Sequence, residues 1–229
     1  MAEMQRQALS PDNPWPGLDP FDEIDRDYFH GRATESGELM RLVRRELLTV
    51  LFGRSGLGKT SLVKAGLFPL LREEDCLPVY ARLDHAQGAP ALREQIFRGL
   101  QTACDADGVQ AAQPAEDESL WSFFHRRDAE LWSERNRCPV TPVVVFDQFE
   151  EIFTLGQETE ESRARSAAFL AELGDLMENR PPDAIRQALE ANSTAARRFD
   201  FKRSNVKLVV SFREEFLAEM EGLKERMPS

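Results

Sequence analysis

The sequence predicts an α/β fold of three layers, a parallel sheet held between two layers of helices. Three observations predict it. Short apolar stretches alternate with segments of helical spacing along the chain. One glycine-rich run, Gly53-Arg54-Ser55-Gly56-Leu57-Gly58-Lys59-Thr60, lies between an apolar stretch and a helical one. The distinctive polar clusters at 53–60, 147–151 and 211–213 all fall at the ends of apolar strands, where parallel α/β sheets bind their ligands.

Taken in order, residues 1–12 read as a flexible leader, 13–46 as an N-terminal arm with a first helix, and 47–229 as the core. The arm holds Pro14, Pro16 and Pro20, which forbid regular structure, so it is expected to run extended and to be pinned by Trp15, Leu18 and Phe21. Residues 22–27 are acidic and read as a turn or short helix. Thr34 to Arg45 reads as a helix with Leu39, Leu42 and Val43 on one face. Leu47 to Phe52 is a strand. Ser61 to Leu67 is a helix, and Phe68-Pro69-Leu70-Leu71 restarts as a short turn.

Leu77 to Leu83 alternates as a second strand, Ala91 to Ala103 is helical, and 105–118 reads as a polar surface loop. Leu120 to Arg135 reads as one helix carrying Trp121, Phe124 and Trp132, a stripe for core or partner contact. Val140 to Phe146 is the most apolar strand. After a charged loop at 157–163 come helices at 165–179 and 183–198, split by Pro181-Pro182, then a strand at 206–211 and a last helix from about Glu214. No internal repeat occurs.

Bulk properties bound the function. Forty acids against 29 bases give a net charge of −11, which argues against a nonspecific nucleic-acid binder. Cys76, Cys104 and Cys138 are few and lack C-x-x-C spacing, so neither a zinc site nor a disulfide framework is expected. The N-terminus has no apolar signal region, and no apolar run is long enough to span a membrane. A soluble, cytoplasmic protein with reduced thiols is the expectation.

The run 53–60 fits G-x-x-x-x-G-K-[ST], the phosphate-binding P-loop, in the strand–loop–helix context the motif requires. Glycines let successive backbone N–H groups turn toward phosphate oxygens, and the helix N-terminus adds partial positive charge. Lys59 would reach the β- and γ-phosphates, and Thr60 would ligate Mg²⁺. A plain glycine turn before a core helix is the competing reading.

Asp147 ends the strand Val143-Val144-Val145-Phe146, where a carboxylate can complete the magnesium shell. Hydrolysis needs a further carboxylate that orients or deprotonates water. Gln148 stands next to Asp147, so the base is expected at Glu151 or Glu150, with Glu151 preferred; both could instead be solvated turn acids. Arg213 could stabilise γ-phosphate charge or simply pair at a helix entry. His30, Gly31 and Arg32 could border base and ribose. His85 and His125 have no partner at metal spacing. The absence of an Asn-Lys-x-Asp guanine motif leans toward adenine.

Together these pieces resemble the STAND class of signalling ATPases, in particular the novel-STAND group related to NACHT and AP-ATPase domains. The resemblance lies in Asn13-Pro14-Trp15-Pro16-Gly17-Leu18 with Phe21, Phe29-His30-Gly31-Arg32, Gly53 to Ser61 with Ala65-Gly66-Leu67, Phe146 to Phe153, and Ser211 to Leu217. It implies a P-loop NTPase core of the ASCE type, ATP rather than GTP, and Gly31-Arg32 on the adenosine side. It implies an acidic cluster of Asp147, Glu150 and Glu151, with Arg213 as sensor 1. The family continues into a helical lid and a winged-helix domain, so the nucleotide domain is expected to be incomplete at its C-terminal end.

The leading expectation is an ATP- and Mg²⁺-binding switch with slow hydrolysis that self-associates or meets a regulatory protein. The alternative is a nucleotide-binding interaction module without turnover. A nucleic-acid-remodelling ATPase is opposed by the charge. A small-molecule kinase lacks an evident acceptor pocket.

Overall fold

The computed structural model describes residues 9–191, 193–202 and 204–226. Most of the leader, and with it the expectation for 1–8, lies outside the described residues. A 3₁₀ turn at Glu23–Tyr28 precedes α1 (Ala33–Arg45), and β1 (Leu48–Gly53) leads into the glycine loop. Beyond the loop, α2 (Lys59–Ser61), a π-helical stretch (Leu62–Leu67) and α3 (Phe68–Glu73) form one continuous rod. The expected turn at Phe68-Pro69 is therefore corrected to helix. The π-helical widening just before Pro69 accommodates a residue that has no N–H to give the ladder.

β2 (Cys76–Ala81), α4 (Leu92–Asp107), β3 (Val109–Gln110) and α5 (Leu120–His125) follow. β4 (Leu131–Ser133), β5 (Cys138–Phe146), α6 (Glu160–Met177), α7 (Asp183–Ala191), β6 (Lys207–Arg213) and α8 (Leu217–Arg226) complete the chain. The single helix expected over Leu120 to Arg135 does not form. α5 stops where Arg126 turns extended to meet Glu118 in a buried ion pair at 3.2 Å, and the chain then enters β4. Trp121 is buried while Trp132 lies exposed on β4, so the two never share a face. The loop expected at 157–163 is instead half helix, because a Thr159–Ser162 capping box starts α6 at Glu160.

The sheet is mixed, which corrects the expectation of a purely parallel one. β1, β6, β5 and β2 run parallel in that order, and β4 and β3 add antiparallel strands. The physical reason is the length of β5. Its C-terminal part is flanked by β2 and β6, while Cys138 to Val140 run ahead of them and leave backbone groups to pair with β4.

Helices cover both faces. α1 and the α2–α3 rod pack Leu39, Val43, Leu62, Val63 and Leu71 on Val143, Val145 and Val209. α4, α5 and α6 pack Leu92, Ile96, Phe123, Phe169 and Leu173 on Val144, Phe146, Leu208 and Val210. Val143 to Phe146 are thus buried from both sides, worth about 1.5–3 kcal/mol per side chain, and they fix the strand end that carries Asp147. Among the described residues no helix is long and apolar enough to cross a membrane. The three cysteines are free thiols.

Candidate functional site

Parallel strands end on one edge of the sheet, and the sequence clusters meet there. Gly53 of β1 pairs in register with Arg213 of β6, and Phe146 of β5 with both Val210 and Ala81. Above these ends opens a cavity of about 730 Å³. Its wall includes Ser55, Gly56, Gly58, Lys59, Thr60 and Ser61 from the loop and Asp147, Glu150 and Glu151 from beyond β5.

The loop shape is set by Gly56 and Gly58, which hold φ of +80° and +74°, a region that costs other residues free energy. Lys59 opens α2, and its ammonium folds back to donate to the carbonyls of Gly53 at 2.8 Å and Arg54 at 3.1 Å. These contacts seat a cation in the mouth of the loop, beside backbone N–H groups at a helix start. Such an arrangement suits an anion with several oxygens.

Asp147 is only 4 % exposed. Its Oδ2 accepts from the Thr60 hydroxyl at 2.7 Å and from the Tyr80 phenol at 2.9 Å. Among the described residues, no lysine or arginine forms an ion pair with it. A buried carboxylate without a counter-charge is costly. Thr60 and Asp147 together offer hard oxygen donors of the kind that suit a small divalent cation. Burial and the neighbouring Asp147 charge push the Tyr80 phenol well above its ordinary pKa. No cluster of three or more His, Cys, Asp or Glu that could hold a metal occurs among the described residues, so any metal here needs oxygens from its ligand.

Gln148 sits in the left-handed region at φ 54°, and this turns the chain from strand into a 3₁₀ segment, Phe149–Phe153. The turn brings both glutamates back to the cavity. Glu150 is buried and accepts from Arg213 Nε at 2.8 Å, while its Oε2 has no hydrogen-bond partner among the described residues. Glu151 accepts from two nitrogens of Arg82, at 2.6 and 3.4 Å, and this hydrogen bond is the main reason the arginine's pKa lies above its ordinary value.

The remaining expected residues scatter. Arg54 is exposed and reaches Glu214 at 3.1 Å, linking the loop to the segment after β6. Leu57 lies exposed at the loop tip. Ser61 is buried, and its hydroxyl accepts from the Phe21 N–H at 3.1 Å, so it anchors the arm. Arg32 braces the loop by donating to the Leu57 carbonyl at 3.1 Å and pairs with Glu35. His30 and Gly31 are exposed, and neither they nor Arg32 line the cavity.

Sequence reasoning missed three contributors. Tyr80 and Arg82 come from the end of β2, and Gly17 to Pro20 of the arm form part of the wall. Alternating positions at a second parallel strand end were the available signal for the first two. The arm is pinned by Phe21, with its ring against Phe29 at 5.6 Å, and not by Trp15 and Leu18, which are exposed.

Comparison with protein families matches residues 14–228 to the family described as novel STAND NTPase 1. No curated protein matches the chain. Among solved structures, a chain of the E. coli MS115-1 HORMA:CdnC:Trip13 complex is similar at 14% identity and a TM-score of 0.40, over 86% of this chain and 61% of that one. The present chain thus spans less than two thirds of that structure's length.

Proposed function

This chain belongs to the novel STAND NTPase 1 family, and on that premise we propose that it binds ATP with Mg²⁺ in the cavity above the strand ends and hydrolyses it slowly as a signalling switch. The observation that carries the reading is the buried Asp147, which forms no ion pair among the described residues, bonded to Thr60 at the start of the helix whose Lys59 sits in the glycine loop.

In this reading Lys59 and the loop N–H groups hold the β- and γ-phosphates, and Thr60 with Asp147 hold the metal. The bound metal would neutralise phosphate charge. Glu150 or Glu151 orients a water and takes its proton as the water oxygen bonds to the γ-phosphorus. The bond to the bridging oxygen breaks, giving ADP and phosphate. Arg213, beside Glu150, would meet the charge that develops on the transferring group. Arg32 braces the loop from outside the cavity wall, so it, His30 and Gly31 would meet only a part of the adenosine that extends beyond that wall. Bound ATP would favour one conformational state of the protein, and hydrolysis would reset it through the difference in affinity between states.

The test is a calorimetric ATP titration of the wild-type chain and Lys59→Ala, with a circular dichroism melt of each. The reading expects binding in the wild type, none in the variant, and similar melts. Competition with GTP should displace ATP poorly. Undiminished ATP affinity in Lys59→Ala would overturn the phosphate assignment.

A further inference from the structure

We propose that Tyr80 is a positioning residue for the metal carboxylate, holding Asp147 in the orientation that faces Thr60 and thereby setting the magnesium affinity of the site. The inference rests on the reading of Thr60 and Asp147 as the metal pair.

The placement follows from the sheet. β2 runs parallel to β5 with Tyr80 opposite Val145 and Ala81 opposite Phe146, so the Tyr80 side chain stands beside the strand end that carries Asp147. Its hydroxyl donates to Asp147 Oδ2 at 2.9 Å, and Thr60 donates to the same oxygen at 2.7 Å. Two donors on one oxygen fix the carboxylate, and no hydrogen bond from the described residues engages its Oδ1. Thr60 has two tasks in the metal-bound site, since its oxygen would also ligate the cation. Tyr80 has one, and so it is the donor that can hold Asp147 throughout. Outer partners of this kind govern metal affinity by orienting the ligand.

The ring is itself held in place. Phe68 meets it edge-on at 6.5 Å, and the Lys64 ammonium lies over its face at 4.6 Å. Lys64 pairs in turn with Asp22 of the arm at 2.9 Å. A phenol, with an ordinary pKa of about 10, carries its proton at neutral pH. It therefore remains a donor throughout the neutral range.

Tyr80→Phe removes the hydroxyl and keeps the ring. The experiment titrates MgCl₂ into the full chain with ATP and measures ATP affinity without metal in parallel. Half-saturation by magnesium should rise about tenfold, while metal-free ATP affinity stays within about twofold of wild type. An unchanged magnesium requirement, or an equal loss of metal-free affinity, overturns the proposal, the latter because it marks a packing role. A wild type whose ATP binding ignores magnesium overturns the underlying metal assignment as well. A second measurement needs no variant. The chain has two tyrosines, Tyr28 and Tyr80, and with ¹³Cζ-labelled tyrosine, magnesium added to the ATP-bound protein should shift the Tyr80 resonance and leave Tyr28 in place. A silent Tyr80 resonance overturns the proposal even if Tyr80→Phe fails to fold.

Discussion

The Thr60 hydroxyl donates to Asp147 Oδ2 at 2.7 Å although 87 residues separate the two in sequence. One stands in the first turn of the helix after β1, the other at the end of β5, and β6 lies between those strands. The contact therefore depends on strand order and register, and it is where the chemistry of the loop meets that of the acidic cluster.

The two glutamates should separate by substitution. Glu151→Gln is expected to keep Mg-ATP binding and lose single-turnover hydrolysis by about 10²–10⁴-fold, the usual cost of removing a general base. Little of that should appear in ground-state affinity. If Glu151→Gln turns over at the wild-type rate and Glu150→Gln does not, Glu150 is the base. If both variants hydrolyse normally, the cluster is not catalytic and the interaction-module reading takes the lead.

Arg213→Ala should lower stability as well as activity. It leaves the buried Glu150 carboxylate without its partner. Because Arg213 is itself partly exposed, the expected loss is about 1–3 kcal/mol, below the 3–5 kcal/mol of a fully buried pair. Urea unfolding measures it. Adding Glu150→Gln to Arg213→Ala should recover part of the loss, and a double variant less stable than the single one would show that the pair does not carry the effect.

Packing between α1 and the rod after the loop gives a further outcome. A Cβ at Gly66 would overlap Ser36 Oγ and crowd Phe29. Gly66→Ala should destabilise by about 1–3 kcal/mol, and Ser36→Ala in the same chain should restore much of it. Additive losses in chemical denaturation would contradict this close approach.

The strand that carries Asp147 and the loop that carries Lys59 were legible, because a run of Val143 to Phe146 and a glycine-rich phosphate motif each announce themselves locally. The partners of the acids were not. Tyr80 reaches Asp147 and Arg82 reaches Glu151 only because β2 lies next to β5, and adjacency of strands is not written in the order of the chain. The helix expected through Trp132 failed for a related reason. Leu131 and Ser133 are buried with Trp132 exposed between them, but three residues are too few to show a period of two. The mixed sheet escaped notice with them, since β3 and β4 are only 2 and 3 residues long.

Mild acid should weaken the fold through two buried histidines. Burial lowers the pKa of both His85 and His125, and His125 stacks on Trp121 with its Nδ1 at 2.8 Å from that residue's carbonyl oxygen. The folded state thus prefers both rings neutral. As pH falls below about 6.5, the unfolded chain takes up protons that the folded chain does not, so stability drops. Melting temperature should fall between about pH 6.5 and 5, and His125→Asn should flatten that limb relative to its own value at neutral pH. An equally steep limb in His125→Asn and in His85→Asn would locate the acid sensitivity elsewhere.

The central claim is that Thr60 and Asp147 hold magnesium against a bound ATP. The most direct measurement is ATP affinity by calorimetry with Mg²⁺ and with EDTA, for the wild-type chain and for Asp147→Asn. Wild-type binding should tighten by at least about tenfold with magnesium, and the Asp147→Asn chain should lose that gain while melting normally. Equal affinity with and without the metal in the wild type, or a full magnesium response in Asp147→Asn, would contradict it.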